Sequence, residues 1–470
     1  MLNKFYEFEK NEQVIDFKYS FNNEIIWPYF RYAIINKIIS EEVNQGQVDI
    51  FMPNKGKFLV RNVYKNPFLE KNKDIVFFCS DISDNKNEDG FYFNYLYDYY
   101  CEIYEDSTLM IEYACKDIRP EPRYFKNVKY EDFIDDLVEL KSKINKKKYS
   151  DKDIVISKKL IEYLKKNLTY KFESGFYIGL ENQILDMSIK IKYYYKYYLK
   201  LLKRLKPKVI FMEAACYGTA PRICIIKIAK SLGIKTAEFQ HGIIVPEAGA
   251  YSYPNYFKEN EDIKKYFPDH LLMMGEYWND KVNVPCKIKV IGTPHLCTKA
   301  KINDNVKTNN DIDTILIVCS MFNREEYIQL VEKLCLSEQG GKYKIIFRLH
   351  PKDRINIKKY CKLLEYNNVE INTDGEIYDY ISKSKYIIGS ESTVLYEATI
   401  YKKNILIFEN KLSKQYIAND LGRWFKDCDG LIEILKEDNE NDYSYNYYWE
   451  MNWRENYISF IENEIYGENK

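Results

Sequence analysis

The sequence predicts an α/β protein made of two doubly wound domains that face a cleft. Three observations carry this. Short apolar runs alternate with helical patterns twice along the chain, polar residues crowd the ends of those runs and not their middles, and a polar stretch at 300–313 separates the two alternations.

Taken in order, residues 1–70 form an irregular opening with one helical pattern over Ile25–Ile39, where Trp27, Phe30, Ala33 and Ile34 share a face. Asp74–Cys79 is a buried-strand pattern, followed by a turn-prone segment, Ser80–Gly90, and Leu109–Tyr113 is a second strand. Residues 129–205 read as largely helical with a Lys-rich interruption at Lys141–Lys152. A clear unit follows: strand Val209–Met212, a loop of small residues Glu213–Thr219, helix Pro221–Leu232 and strand Lys235–Phe239, which leads into Gln240-His241-Gly242. Leu271–Met274 and Ile288–Ile291 continue the alternation. The second alternation starts at Thr314–Cys319 and passes through runs at Lys344–Phe347, Tyr386–Ile388 and Ile405–Phe408. The expected organisation is a first domain at 1–299 with helical insertions, a linker at 300–313, a second domain at 314–430, and helices at 431–470 that return to pack on the first domain.

Composition narrows the function. Lys plus Arg and Asp plus Glu each number 70, so no global field draws the chain to nucleic acid or acidic lipid. The eleven cysteines include no CxxC pair and no regular spacing, which argues against a disulfide framework or structural zinc and for a reducing compartment. The charged start, MLNKFYEFEKNEQVIDF, lacks the apolar core of a signal peptide, and no stretch reaches the length of a membrane span. A cytoplasmic protein is expected. Over Ile184–Lys208 the apolar positions 184, 187, 191, 194, 198, 202 and 205 trace one helical face and Lys192, Lys196, Lys200 and Lys203 another. Such a helix either packs on the core or docks on the inner face of an anionic membrane.

The chemistry concentrates at strand ends. Arg348 and His350 leave one strand, while Gly389, Ser390, Ser392 and Thr393 leave another and open a helix that continues through Glu397. Free N–H groups, hydroxyls and a nearby Arg and His make a phosphate pocket, although Ser and Thr at these places also serve as plain helix caps. His350 is either a phosphate ligand or a surface histidine, and Glu397 either a solvated helix residue or a contact to a ribose hydroxyl. Base candidates end strands in the first domain: Glu213 and His241 rank above Asp81 and Asp89, and a structural role competes with the catalytic one at each.

The combination of RLHP at Arg348–Pro351, YIIGSEST at Tyr386–Thr393, YEA at Tyr396–Ala398 and QHG at Gln240–Gly242 resembles bacterial glycosyltransferases of the GT-B fold. It is similar in particular to the group containing capsular polysaccharide transferases, sialyltransferases with His-Pro and Ser/Thr motifs, and polyol-phosphate transferases of teichoic acid synthesis. The resemblance implies that His350 and Ser392 or Thr393 contact the nucleotide phosphate and Glu397 the ribose. It further implies an inverting transfer from a nucleotide-activated sugar, preferably a CMP-linked acidic sugar, to a surface polysaccharide or lipid-linked glycan. The resemblance also implies that no metal cofactor is needed for catalysis. Glu88-Asp89-Gly90 matches the acidic-pair-plus-Gly base motif of the similar sialyltransferases in form. The rival expectations are a CDP-polyol phosphotransferase and a non-catalytic glycan-binding scaffold, with a nucleotide-sugar epimerase ranked lower.

Overall fold

The structure, a computed structural model, describes residues 2–42, 64–80, 86–87, 89–113, 121–145, 149–246, 249–303, 313–320, 323–437 and 445–467. The chain divides into two compact units, one comprising Met1–Met273, Trp278–Ile291 and Asn452–Lys470, the other Met274–Tyr277 and Gly292–Met451. The split at Gly292 precedes the polar stretch at 300–313. Helix Pro294–Asn303 folds with the second unit, and residues 304–312 lie outside the described residues.

The first unit holds a seven-stranded sheet: β1 (Ile75–Ser80), β2 (Thr108–Tyr113), β3 (Val128–Tyr130), β4 (Val209–Met212), β5 (Lys235–Phe239), β6 (His270–Met273) and β7 (Lys287–Val290), in the order β3-β2-β1-β4-β5-β6-β7. Every pairing is parallel. The second unit holds six: β8 (Thr314–Val318), β9 (Lys344–Arg348), β10 (Val369–Asn372), β11 (Tyr386–Gly389), β12 (Asn404–Phe408) and β13 (Arg423–Phe425), in the order β10-β9-β8-β11-β12-β13, again all parallel. Each is a doubly wound, Rossmann-like sheet, the pair of sheets that a GT-B type chain carries. The order reverses between β1 and β4 in one and between β8 and β11 in the other, and ligands of open α/β sheets bind outside the strand ends at such a reversal.

Central strands are legible because both faces are covered: all side chains of β4, β11 and β12 are buried, so the sequence shows continuous apolar runs. The three strands absent from the sequence reading, β3, β10 and β13, lie at sheet edges. They are short and partly polar (VKY, VEIN, RWF), and half-covered edges need no continuous run.

The basic amphipathic segment is the latter part of one helix, Ser174–Leu205, which ends at Lys206 in the left-handed conformation (φ 52°). Ile184, Ile191, Tyr194, Tyr198, Leu202 and Leu205 are buried, whereas Lys192, Lys196, Lys200 and Lys203 are exposed. Its apolar face is therefore packed on the unit's own core, and its lysine face is left to solvent. Among the described residues no helix is long and apolar enough to cross a bilayer.

The irregular opening is tied down by a buried ion pair. Arg31, from helix Trp27–Glu42, donates to both carboxylate oxygens of Glu9 at 2.6 and 2.8 Å and to the Gly249 carbonyl at 2.6 Å. The core of the first sheet is aromatic: Phe77 stacks on Phe211 at 4.8 Å and Tyr100 on Phe239 at 4.4 Å. Tyr457, Phe460 and Ile461, on helix Trp453–Ile461, join this core at 0–1% exposure. Shortly before them in the chain, Trp449 donates to the Tyr396 carbonyl of the second unit at 3.0 Å.

Candidate functional site

In the first unit, the residue that leaves β4 beside β1 is Glu213, so it stands at the reversal of strand order. Its Oε2 accepts from the Ser80 backbone N–H at 2.9 Å and from the Ser80 hydroxyl at 2.6 Å, which ties the exits of the two central strands together. No protein partner is recorded for Oε1 among the described residues. The loop that follows is tight. Ala214 has φ 55°, and a Cβ on Gly218 would stand 2.4 Å from the Ala214 carbonyl oxygen, so only glycine fits there.

Glu213 lines a cavity of about 510 Å³. Tyr32 and Tyr217, with rings 4.5 Å apart, contribute aromatic wall. Deeper charges are compensated: Arg222 donates to Glu131 Oε1 at 2.7 Å, and the Tyr198 hydroxyl donates to Oε2 at 2.9 Å. Burial, with Glu131 adding to it, pushes the Asp135 carboxyl up to about 6. A cavity with aromatic walls and a few oriented polar groups suits a hydroxylated ligand.

His241 does not line that cavity but reaches it through a neighbour. Its Nε2 lies 3.1 Å from the Tyr217 hydroxyl, while Nδ1 is buried without a partner among the described residues. Beneath it Glu238 is fully buried, accepting from the Cys216 N–H and the Tyr251 hydroxyl, both at 2.6 Å. Burial raises the Glu238 carboxyl above its usual range, and the nearby His241 opposes that shift. Of the lower-ranked candidates, Asp89 is an exposed turn residue, and Asp81 and Glu88 lie outside the described residues.

In the second unit, the exits of β8, β9 and β11 supply the groups. Gly389 ends β11. Ser390 is buried, accepts from the Tyr327 hydroxyl at 2.8 Å and donates to the Glu391 carboxylate. Ser392 caps the short helix Thr393–Glu397 by accepting from the Val394 N–H at 3.2 Å. Capping is therefore real here, as the residue types alone allowed. The helix ends at Glu397, whose carboxyl is pushed up to about 7 by burial even though bonds to Thr393 and Tyr378 pull the other way. Glu391 is also raised, by burial first, against bonds from Ser320 and Ser390. Glu391 was missed in the sequence. Its signal was there, an acid inside the GSEST turn directly after a buried strand.

Arg348 ends β9 and is buried. It donates to the Asn372 side chain and the Asp374 carbonyl, and to the Gly375 carbonyl at 2.7 Å, with Tyr380 at 5.4 Å beneath the guanidinium. Its donors thus organise the turn after β10. His350 stands half-buried two residues farther on, and its carbonyl accepts the Asp353 N–H at 2.8 Å. Asp353 is held by Arg324 (3.0 and 2.5 Å), by Asn356 (2.7 Å) and by the Tyr360 hydroxyl. This part-buried clamp fixes the segment that carries His350. Arg324 and Asp353 were not singled out in the sequence, because their value depends on a contact between positions 29 residues apart. Among the described residues no three His, Cys, Asp or Glu gather as metal ligands.

No family model and no curated protein matches the sequence. Solved structures do. A UDP-GlcNAc 2-epimerase from Methanocaldococcus jannaschii is 12% identical, with 82% of this chain and 99% of that one covered and a TM-score of 0.45. A putative UDP-N-acetylglucosamine 2-epimerase from Listeria monocytogenes is 10% identical over 85% and 98%, with a TM-score of 0.46. The wall teichoic acid polymerase TagF is 13% identical over 92% of each chain, with a TM-score of 0.41. These chains belong to nucleotide-sugar epimerases and a polymerase. At such identities and scores they carry nothing toward the substrate or mechanism of this chain.

Proposed function

We propose that the protein is an inverting, metal-independent glycosyltransferase that moves a sugar from a nucleotide-activated donor, a CMP-linked acidic sugar in the first instance, to a polysaccharide or lipid-linked glycan hydroxyl. The observation that carries this reading is the place of Glu213: at the strand-order reversal, one oxygen fixed by Ser80 and the other without a partner among the described residues, on the wall of a cavity of about 510 Å³. In the proposed reaction Glu213 takes the proton of the acceptor hydroxyl as its oxygen attacks the anomeric carbon. The bond from that carbon to phosphate breaks, and the nucleotide leaves with the electron pair. His350 and the hydroxyls and N–H groups at Ser392 and Thr393 stabilise the charge growing on the departing phosphate, while Arg348 holds the adjoining turn in place. Glu397, titrating near 7, contacts the ribose, and His241 tunes the loop that carries Glu213 through Tyr217.

The test is donor turnover by purified protein against CMP, UDP, GDP and CDP conjugates, CDP-glycerol included, with and without EDTA. Release of a nucleotide from a sugar conjugate in EDTA supports the reading. Turnover of CDP-glycerol alone would replace it with phosphotransfer, and turnover of none would leave a binding protein.

A further inference from the structure

Cys216 and Cys286 stand apart from the other cysteines. Their sulfurs are 3.8 Å apart, although they come from different loops, one after β4 and the other just before β7. Cys216 is buried, and burial pushes its thiol well up; Cys286 is half-buried. Cys286 also lines a second cavity, of about 470 Å³, with Lys230, Lys235, Lys258, Lys264 and Lys287. Two carboxylates offset part of that charge: Asp269 pairs with Lys230 at 3.2 Å and Glu261 with Lys264 at 2.7 Å. The cavity is therefore net basic, an entry suited to an anionic reagent.

We propose that Cys216 and Cys286 form a reversible disulfide by exchange with an anionic small-molecule disulfide of the glutathione type that enters through the lysine-lined cavity. The thiolate of Cys286, the reachable sulfur, attacks one sulfur of the incoming disulfide, forming a mixed disulfide and expelling one thiolate, which takes up a proton. Cys216 then loses its proton and attacks the Cys286 sulfur, expelling the second small thiol. Two protein thiols are oxidised by two electrons and one small disulfide is reduced to two thiols.

The bond has a mechanical consequence. A disulfide spans about 2.05 Å, so the sulfurs must close by well over 1 Å. Cys216 has little slack, since its N–H is held by Glu238 and its carbonyl accepts from the Tyr253 hydroxyl at 2.6 Å. The same tight loop carries Glu213 and Tyr217, so oxidation would pull on the wall of the larger cavity. The inference stands whether or not Glu213 is a catalytic base.

Full-length protein incubated with oxidised glutathione, alkylated and digested without reductant provides the test. The expected product is a peptide pair linked through Cys216 and Cys286 in most molecules, reversed by dithiothreitol and slowed at least several-fold by 0.5 M salt. In Cys216→Ser a glutathione adduct should accumulate on Cys286. Linkage elsewhere, or adducts confined to exposed Cys361 while Cys216 and Cys286 stay free, would overturn the proposal.

Discussion

The two sheets reverse strand order in the same way, yet their reversal points are chemically opposite. In the first, a carboxylate with one oxygen unpartnered among the described residues lines a tyrosine-walled cavity, and the neighbouring Glu131 is paired with Arg222. In the second, hydroxyls and backbone donors crowd the strand exits, and the acids among them, Glu391 and Glu397, are pushed toward the neutral form. One topology thus places a carboxylate at one reversal and a cluster of hydroxyls at the other. The side chains leaving four central strands decide which.

The contrast can be broken at its strongest point first. Glu213→Gln keeps the shape and removes the proton acceptor, so turnover should fall about 10³-fold, or about 4 kcal/mol, with the melting temperature nearly unchanged. Wild-type turnover in that variant would reduce Glu213 to a tether for Ser80. His350→Ala should lose on the order of 10²-fold in kcat, about 2.7 kcal/mol, while the Arg324–Asp353 clamp keeps the unit folded. Full activity there would remove the donor role from the second reversal.

Two stability measurements sharpen the picture. Gly218→Ala should destabilise the protein by about 1–3 kcal/mol in urea melts, since the added Cβ meets a carbonyl oxygen at 2.4 Å. A neutral result would mean that the loop has room to move. Burial raises Glu397 from 4.5 to about 7, so the folded state holds its proton more tightly than the unfolded chain. The favourable contribution is complete below pH 4.5 and is lost as pH rises through about 7. Glu397→Gln should therefore match the wild type near pH 4 and exceed it at pH 8 by about 1–3 kcal/mol. Parallel stability curves for the two proteins across that range would show that the carboxyl is not buried in solution.

How much of this was legible in the sequence follows from what each feature depends on. Central strands such as β4 and β11 announce themselves because burial on both faces demands apolar residues at every position. Edge strands such as β10 do not. Glu213, His350, Ser392 and Thr393 could be singled out because they follow such strands directly, and a residue's place after a strand is local information. Arg348 was legible as a strand-end cation but not as the holder of the Asn372–Gly375 turn, because β10 itself was unseen. The Arg324–Asp353 clamp and the Cys216–Cys286 contact join distant segments, and no spacing rule encodes them.

The helix at Trp453–Ile461 has a consequence for synthesis. Its Tyr457 packs 4.8 Å from Tyr100 and 5.7 Å from Phe211, so it completes the aromatic core of the first unit. Those residues leave the ribosome only after Gly292–Met451, the bulk of the second unit, has been made. At roughly 5–20 residues per second, the nascent chain must carry an open aromatic surface for on the order of ten seconds. All of the second unit is then in place in the chain before the last helix of the first has been made.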